Sequence, residues 1–367
     1  MRGLYVHIPF CLKKCKYCDF TSYVGCEKHF ADYIKCLKNE MRGYKGEKID
    51  TVFLGGGTPS ILSAQLLEDM IKEIFATFSV TPEAEFTIES NPKTLTFEKL
   101  KLLRELGVNR LSIGVQSFID DELKKIGRIH TSKDAEEAIT QAKKAGFSNI
   151  NLDLMFSIPE QTKESFQKSI DTAMALNPEH ISAYSLILEE GTPLYFEVEN
   201  GEVFLPDEEC DRANYRYVCD KLKANGYIQY EISNFSKVGY ECRHNLKYWD
   251  CDEYIGVGVS AHSYYNGKRF FNTDNLEKYL NGEYREDLGE ILTVDDKISE
   301  YVIMGFRKTE GINKFEFLNR FGVDFYERFK NPLDKFLNLN LIEERGEFFR
   351  LTFEGINLSN SVLCEFL

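Results

Sequence analysis

The chain has 367 residues, 43% of them hydrophobic, which supports two or three domains with a sizeable core and excludes a disordered chain. Its formal net charge is −14, from 45 Lys plus Arg against 59 Asp plus Glu, so the surface as a whole repels nucleic-acid phosphate. No apolar run approaches the roughly 18 residues that span a bilayer.

The opening apolar stretch, Leu4–Ile8, is too short for a secretory signal, and His7 and Pro9 interrupt it, so a cytosolic location is expected. In that compartment ten cysteines are not a disulfide framework. Short apolar runs alternate with amphipathic stretches along the first half. The runs at Leu4–Ile8, Thr51–Leu54, Glu85–Glu89, Arg110–Val115, Asn149–Met155 and His180–Leu186 predict strands. The stretches at Leu66–Phe75, Phe97–Leu106, Lys133–Ala145 and Lys163–Leu176 predict helices, two of them closed by Gly107 and Gly146. Repeated strand–helix units imply a parallel sheet with helices outside. Six units are fewer than the eight of a closed barrel, so the expected fold is α/β, an open, partial (β/α)6 barrel.

A parallel barrel works at the C-terminal ends of its strands. After the first strand comes Cys11-Leu12-Lys13-Lys14-Cys15-Lys16-Tyr17-Cys18, three cysteines spaced C-x3-C-x2-C. Thiolates suit iron–sulfur clusters and zinc. Three of them would leave one iron of a [4Fe–4S] cube open to a small molecule. The alternative is a zinc knuckle that borrows Cys26 or His29, since a closed zinc site wants four ligands. Gly55-Gly56-Gly57-Thr58-Pro59-Ser60 follows the second strand and lacks the Gly-Lys-Ser/Thr ending of a phosphate loop. Glu89 ends the third strand, Gln116 the fourth, and Asp153 sits late in the fifth. Five consecutive strands thus send glycine or polar residues to one face. Buried carboxylates need partners, and Arg128 offers a bidentate cation, yet each of these could also serve a satisfied polar layer or the surface.

Beyond the sixth strand, Asp207–Asn225 reads as a helix and Tyr227–Ser233 as an alternating strand. Cys242-Arg243-His244-Asn245-Leu246-Lys247-Tyr248-Trp249 follows, with the only tryptophan; His244 and Tyr248 share a face if the segment is helical. A packed aromatic corner is the plain reading. Small residues run through Tyr254–Ser263, which would let the chain pass close to a ligand, with His262 near its end. Helical patterns at Val294–Phe306, Lys314–Phe321 and Phe325–Leu337 precede a hairpin at Leu341–Leu351, a small winged-helix-like domain. Residues 290–367 carry 10 basic and 14 acidic side chains, a net of −4, which lacks the basic stripe of a DNA reader. Three units are expected: a core barrel over 1–235, a segment over 236–289 that carries the His244–Trp249 motif and closes the barrel, and the C-terminal domain over 290–367.

Tyr5-Val6-His7-Ile8-Pro9-Phe10-Cys11-x3-Cys15-x2-Cys18-Asp19-Phe20 resembles the opening of radical S-adenosylmethionine (SAM) proteins. More narrowly it resembles the oxygen-independent coproporphyrinogen III oxidase-like family, including its branch of HemW-type haem chaperones, and the likeness runs over most of the chain. The resemblance implies a [4Fe–4S] cluster on Cys11, Cys15 and Cys18, with S-adenosyl-L-methionine chelating the free iron. It implies SAM contacts at Gly56, Gly57, Thr58, Glu89, Gln116, Arg128 and Asp153, with Tyr5 and Tyr17 flanking, Ile187 against adenine and His262 nearby. His-Asn-x-x-Tyr-Trp implies haem binding, with His244 the first choice of axial ligand, Tyr248 the second, Cys242 and Cys251 as alternatives, and Trp249 packing on the porphyrin. The expected function is then to pass haem to an acceptor protein. The alternative is the dehydrogenase, in which reduced cluster and SAM yield a radical that abstracts hydrogen from porphyrinogen propionates. Those oxidases carry a further cysteine where this chain has Phe20, and a long N-terminal extension where the first strand here begins at Leu4, which favours the chaperone. No nucleic-acid partner and no membrane-spanning segment are expected; a homodimer and peripheral membrane association are compatible with the resemblance.

Overall fold

The computed structural model describes residues 1–286 and 289–367. Residues 287 and 288, beside the boundary expected at 289, lie outside them. Six parallel strands run in sequence order: β1 (Arg2–Ile8), β2 (Lys48–Gly56), β3 (Ser79–Ser90), β4 (Arg110–Gln116), β5 (Ile150–Phe156) and β6 (His180–Ser185). The connecting helices are α1 (Phe30–Met41), α2 (Ala64–Thr77), α3 (Phe97–Glu105), α4 (Asp120–Lys125), α5 (Ser132–Lys144) and α6 (Lys163–Ala175). Side-chain caps fix where several helices begin. Ser63 accepts from Leu66 N at the start of α2, and Thr131 with Asp134 forms a reciprocal capping box at α5.

Strand periodicity separates two environments. Leu4, Val6, Ile8, Val52, Leu54, Ile88, Leu111, Ile113 and Leu152 are fully buried in one apolar cluster between sheet and helices. The alternate residues, among them Tyr5, Glu89, Ser112 and Asp153, line space inside the barrel. The curved sheet is therefore dry outside and polar inside.

Further along the chain come α7 (Pro193–Glu199), α8 (Glu208–Ala224), the short strands β7 (Ile228–Gln229) and β8 (Asn234–Ser236), and helix α9 (Arg243–Trp249). The strand predicted over Tyr227–Ser233 is not formed as one piece. Tyr227, Tyr230 and Glu231 are buried, a spacing that breaks the alternation, and the Glu231 carboxylate turns the chain by accepting from Ser233 N at 2.8 Å. β9 (Tyr254–Val257) then joins the sheet beside β1 and parallel to it, a seventh parallel strand that the sequence reading took for a closing segment. The antiparallel strands β10 (His262–Tyr265), β11 (Lys268–Phe271) and β12 (Glu290–Ile291) extend that edge, and β8 and β7 extend the other.

After α10 (Leu276–Leu280), the C-terminal part builds its own apolar cluster from α11 (Val294–Gly305), β13 (Ile312–Asn313), α12 (Lys314–Phe321), α13 (Phe325–Arg328), α14 (Lys330–Asn338), β14 (Ile342–Arg345) and β15 (Phe348–Leu351). Its three strands pair in the order β13-β15-β14, the wing of a winged-helix arrangement. The helix expected over Phe325–Leu337 breaks at Phe329, because Pro332 has no N–H to donate back to Arg328. No helix among the described residues is long and apolar enough to cross a membrane.

Candidate functional site

The loop after β1 is pinned at its base. Cys11 N donates to Tyr23 O at 3.0 Å and Tyr23 N to Pro9 O at 2.6 Å. Its middle is held by Lys16 N on Ile126 O at 3.0 Å. Between these ties Cys11, Cys15 and Cys18 stay half-buried, and all are free thiols. The glycine loop after β2 lies against this one, with Gly57 N on Ile8 O and Thr58 N on Phe10 O, each at 2.8 Å. At Gly56, whose φ is 106°, an added Cβ would stand 2.5 Å from the His7 ring; at Gly57 it would stand 2.7 Å from Phe10 O. Only glycine allows the two loops to close to this distance. Thr58 Oγ1 is 3.6 Å from Cys11 Sγ.

Glu89 accepts from Gly56 N at 3.1 Å. Burial, and then the charge of Asp153, pushes its carboxyl up to about 8, so at neutral pH it is mostly protonated and can donate. Gln116 follows a bulge in β4 and has φ 67°, an uncommon conformation for a residue with a side chain. Arg128 reaches Cys15 Sγ at 3.4 Å and the Gly114 carbonyl, while its buried Nε has no hydrogen-bond partner. Asp153 lies mid-strand in β5, held by Asn151 at 2.8 Å and Ser112 at 3.1 Å.

These groups meet in one cavity of about 530 Å³ at the C-terminal mouth of the barrel. Its lining includes the three cysteines, Tyr17, Gly56, Gly57 and Thr58, and across from them Glu89, Gln116, Arg128, Asp153 and Ile187. Ile187 is 69% exposed on the rim. Among the described residues no three His, Cys, Asp or Glu side chains close on one ion-sized point. A cube asks each thiolate for a different iron, so three soft ligands on one loop, beside an arginine with an unused donor, fit a cluster and an anionic chelator.

The remaining predicted residues lie elsewhere. α9 packs at the opposite end of the barrel, where the Glu85 carboxylate accepts from Arg243 N at 2.9 Å and His244 N at 3.0 Å. His244 is 1% exposed, stacked on Phe53, with Nδ1 2.9 Å from Thr51 Oγ1 and Nε2 2.9 Å from Tyr248 OH. Burial, then the charges of Lys247 and Arg110, lower its pKa to about 3, so it is neutral. The ring expected to ligate iron thus has no free nitrogen, and Tyr248 is engaged by the same bond. Trp249 lies under the Arg307 guanidinium at 4.4 Å. Cys242 is buried with its thiol 3.6 Å from Glu85, and Cys251 belongs to the C-terminal apolar cluster. His262 stacks on Phe271 and, with Tyr5 and Tyr248, lines a side pocket of about 390 Å³ beside the cysteine loop.

Sequence reasoning missed a third space of about 220 Å³ inside the barrel, lined by Arg110, Ser112, Asn151, Ser182 and Tyr184 together with His244 and Asn245. The signal was present: Ser112 and Asn151 sit two residues from Gly114 and Asp153, on the same face of their strands.

The pattern of the Radical SAM superfamily matches residues 5–173, and that of the HemN C-terminal domain matches residues 292–358. The solved structure of coproporphyrinogen III oxidase (HemN) from Escherichia coli superposes with a TM-score of 0.86 at 24% identity, over 99% of this chain and 89% of that one, which establishes a shared fold. Among curated proteins, the heme chaperone HemW of Bacillus subtilis is 40% identical over 100% of this chain and 99% of its own length. Those of Lactococcus lactis and Escherichia coli are 37% and 34% identical, over 99% and 100% of this chain and 96% and 98% of theirs. Likeness of that degree from end to end decides the question of kinship: the chain belongs to the HemW family within the radical SAM superfamily.

Proposed function

We propose that this protein is a cytosolic haem chaperone on a radical SAM scaffold, which holds a [4Fe–4S] cluster, SAM and haem and passes haem to an acceptor protein. The observation that carries the cofactor part is the single mouth cavity, where three thiols meet residues delivered by strands far apart in sequence. The haem part is supported by relatives that are named heme chaperones and match the chain along its whole length.

In this reading Cys11, Cys15 and Cys18 hold the cluster, whose chemistry when bound is one-electron transfer to SAM. Arg128 neutralises a carboxylate, using the Nε that no protein group occupies. Gly56 and Gly57 present backbone to the amine, and Thr58 adds a hydroxyl. Protonated Glu89 donates while Asp153 accepts, so the pair can grip ribose hydroxyls from two sides. Gln116 offers both a donor and an acceptor, Tyr17 and Tyr5 flank, Ile187 supplies an apolar wall, and His262 closes the side pocket. Residues 1–235 supply the six-unit barrel, 236–289 add β9 beside β1 and close it, and 290–367 form the partner-facing domain.

The test uses anaerobically reconstituted protein. Haem should bind with a perturbed absorption spectrum and pass to an apo-haemoprotein, while coproporphyrinogen III with SAM and reductant should yield no protoporphyrinogen IX. Multiple-turnover product formation would replace the chaperone by the dehydrogenase.

A further inference from the structure

Arg110, the first residue of β4, is 2% exposed and lines the inner chamber. Among the described residues its side chain makes no hydrogen bond and no ion pair within 4.0 Å, and its Nε is buried without a partner. Burial opposes its charge, but the nearby Cys242, Glu85, Tyr230 and Asp153 favour it and raise its pKa, so what is unmet is hydrogen bonding: native structures seldom keep a buried guanidinium donor without a partner.

The acidic groups nearby make their hydrogen bonds elsewhere. Glu85 accepts from the first two amides of α9. Asp153 is bound by Asn151 and Ser112, and Glu89 by Gly56 N. The other walls include the hydroxyls and amides of Ser112, Ser182, Tyr184 and Asn245, beside the rings of Phe53 and His244. The chamber and the mouth cavity share Glu89, Asp153 and Tyr184, so the two spaces are neighbours across these side chains.

We propose that this chamber binds a carboxylate group on the guanidinium of Arg110. A single negative charge matches one guanidinium and can be gripped bidentately. A phosphate would bring a second charge towards Asp153. At about 220 Å³ the chamber holds a small carboxylic acid, or one carboxylate arm of a larger molecule standing in the mouth, but it lies below the roughly 300–1,000 Å³ of sites that enclose whole drug-sized ligands. The inference goes beyond the haem-chaperone reading and does not depend on it. It also gives the His244 motif a place, since His244, Asn245 and Tyr248 form the chamber floor.

Two matched pairs of ligands separate the sources. Calorimetric titration of the reconstituted full chain compares propionate with propionamide, and haem with haem dimethyl ester. Propionate bound in preference to the amide, and weakened about tenfold or more in Arg110→Met, identifies a free small carboxylate. Haem bound in preference to its ester, with the preference lost in Arg110→Met, identifies an arm of the macrocycle. Propionate bound where haem is not would refute the haem reading while upholding the chamber. If neither pair shows a carboxylate preference that depends on Arg110, the chamber holds only water and the proposal is overturned. Arg110→Met is accepted only with wild-type circular dichroism and iron content. Asn245→Leu, which narrows the chamber and spares the guanidinium, should weaken the same ligand; unchanged affinity there would also overturn the assignment.

Discussion

The cysteine mouth and the α9 helix both carry family motifs rich in histidine, tyrosine or cysteine, and they are finished in opposite ways. At the mouth the thiols are half-buried and free, Arg128 keeps an unpaired Nε, and Gln116 occupies an uncommon backbone region. At α9 both nitrogens of His244 are taken, Glu85 caps the helix, and Arg307 covers Trp249. Native structures satisfy nearly every buried polar group, so donors left over mark where a ligand completes the account. The mouth is unfinished without a ligand. At α9 the His244 ring is fully engaged, and the buried donors left over there are Trp249 Nε1, at the end of the helix, and Arg110 Nε, at the start of β4.

The largest effect should come from removing a thiol. A three-thiolate cube has no spare ligand, so Cys11→Ala, Cys15→Ala and Cys18→Ala should each lose iron and acid-labile sulfide after reconstitution. Cys26→Ala and Cys36→Ala should keep wild-type content. Full occupancy in any of the first three would erase the contrast between mouth and α9. The next effect is on SAM. Arg128→Ala removes a charged donor, and Gln116→Ala or Asp153→Asn removes a polar one, each at a cost of ~1.5–3 kcal/mol, a loss of roughly ten- to a hundredfold in affinity. Equilibrium binding to the cluster-loaded variants measures it, and unaltered affinity in all three would reduce the mouth residues to a polar layer.

The parts legible in the sequence were those set by local rules. The six strands followed from apolar runs, and their working ends from the direction of a parallel barrel, so the eight-residue cysteine stretch and single strand-end residues could be assigned to one face from the sequence. What failed had non-local causes. β9 is short and glycine-bearing, and only pairing with β1 makes it a strand. The turn at Glu231 depends on a buried carboxylate whose charge is met by Arg307, 76 positions away. The occupation of His244 could not be read either, because Thr51 comes from β2, and no spacing within the motif announces that partner.

His244→Ala sharpens the comparison from the α9 side. The change empties a buried ring position beside Phe53 and leaves Thr51 and Tyr248 without their shared partner. A loss of ~2–4 kcal/mol in unfolding free energy is expected, with the haem absorption spectrum kept at its wild-type position. Denaturant unfolding and haem titration of the same preparation read the two halves. A normal stability with a displaced haem spectrum would return His244 to the iron.

The last effect is a slope, and it belongs to Glu89. Its pKa is raised from 4.5 to about 8, so the folded chain holds this proton more tightly than the unfolded chain does. The contribution is therefore full below pH 4.5, where both states are protonated. It declines as pH rises from 4.5 towards 8, where only the unfolded state has ionised, and it is gone above 8. One such group changes the slope of stability against pH by at most ~1.4 kcal/mol per unit, and the edge of Glu89 that meets the mouth cavity makes this an upper bound. Gln cannot ionise, so Glu89→Gln should match wild type near pH 4.5 and exceed it near pH 8. His244, lowered to about 3, acts with the opposite sign, losing stability as pH falls below 6.5, and this cancels when the two proteins are compared at each pH. Urea unfolding across that range decides the matter. An advantage for Gln that appears at low pH instead would mean that Glu89 is ionised in the folded chain, paired as tightly as the groups around α9, and the mouth would then be as complete without ligand as the helix at the other end.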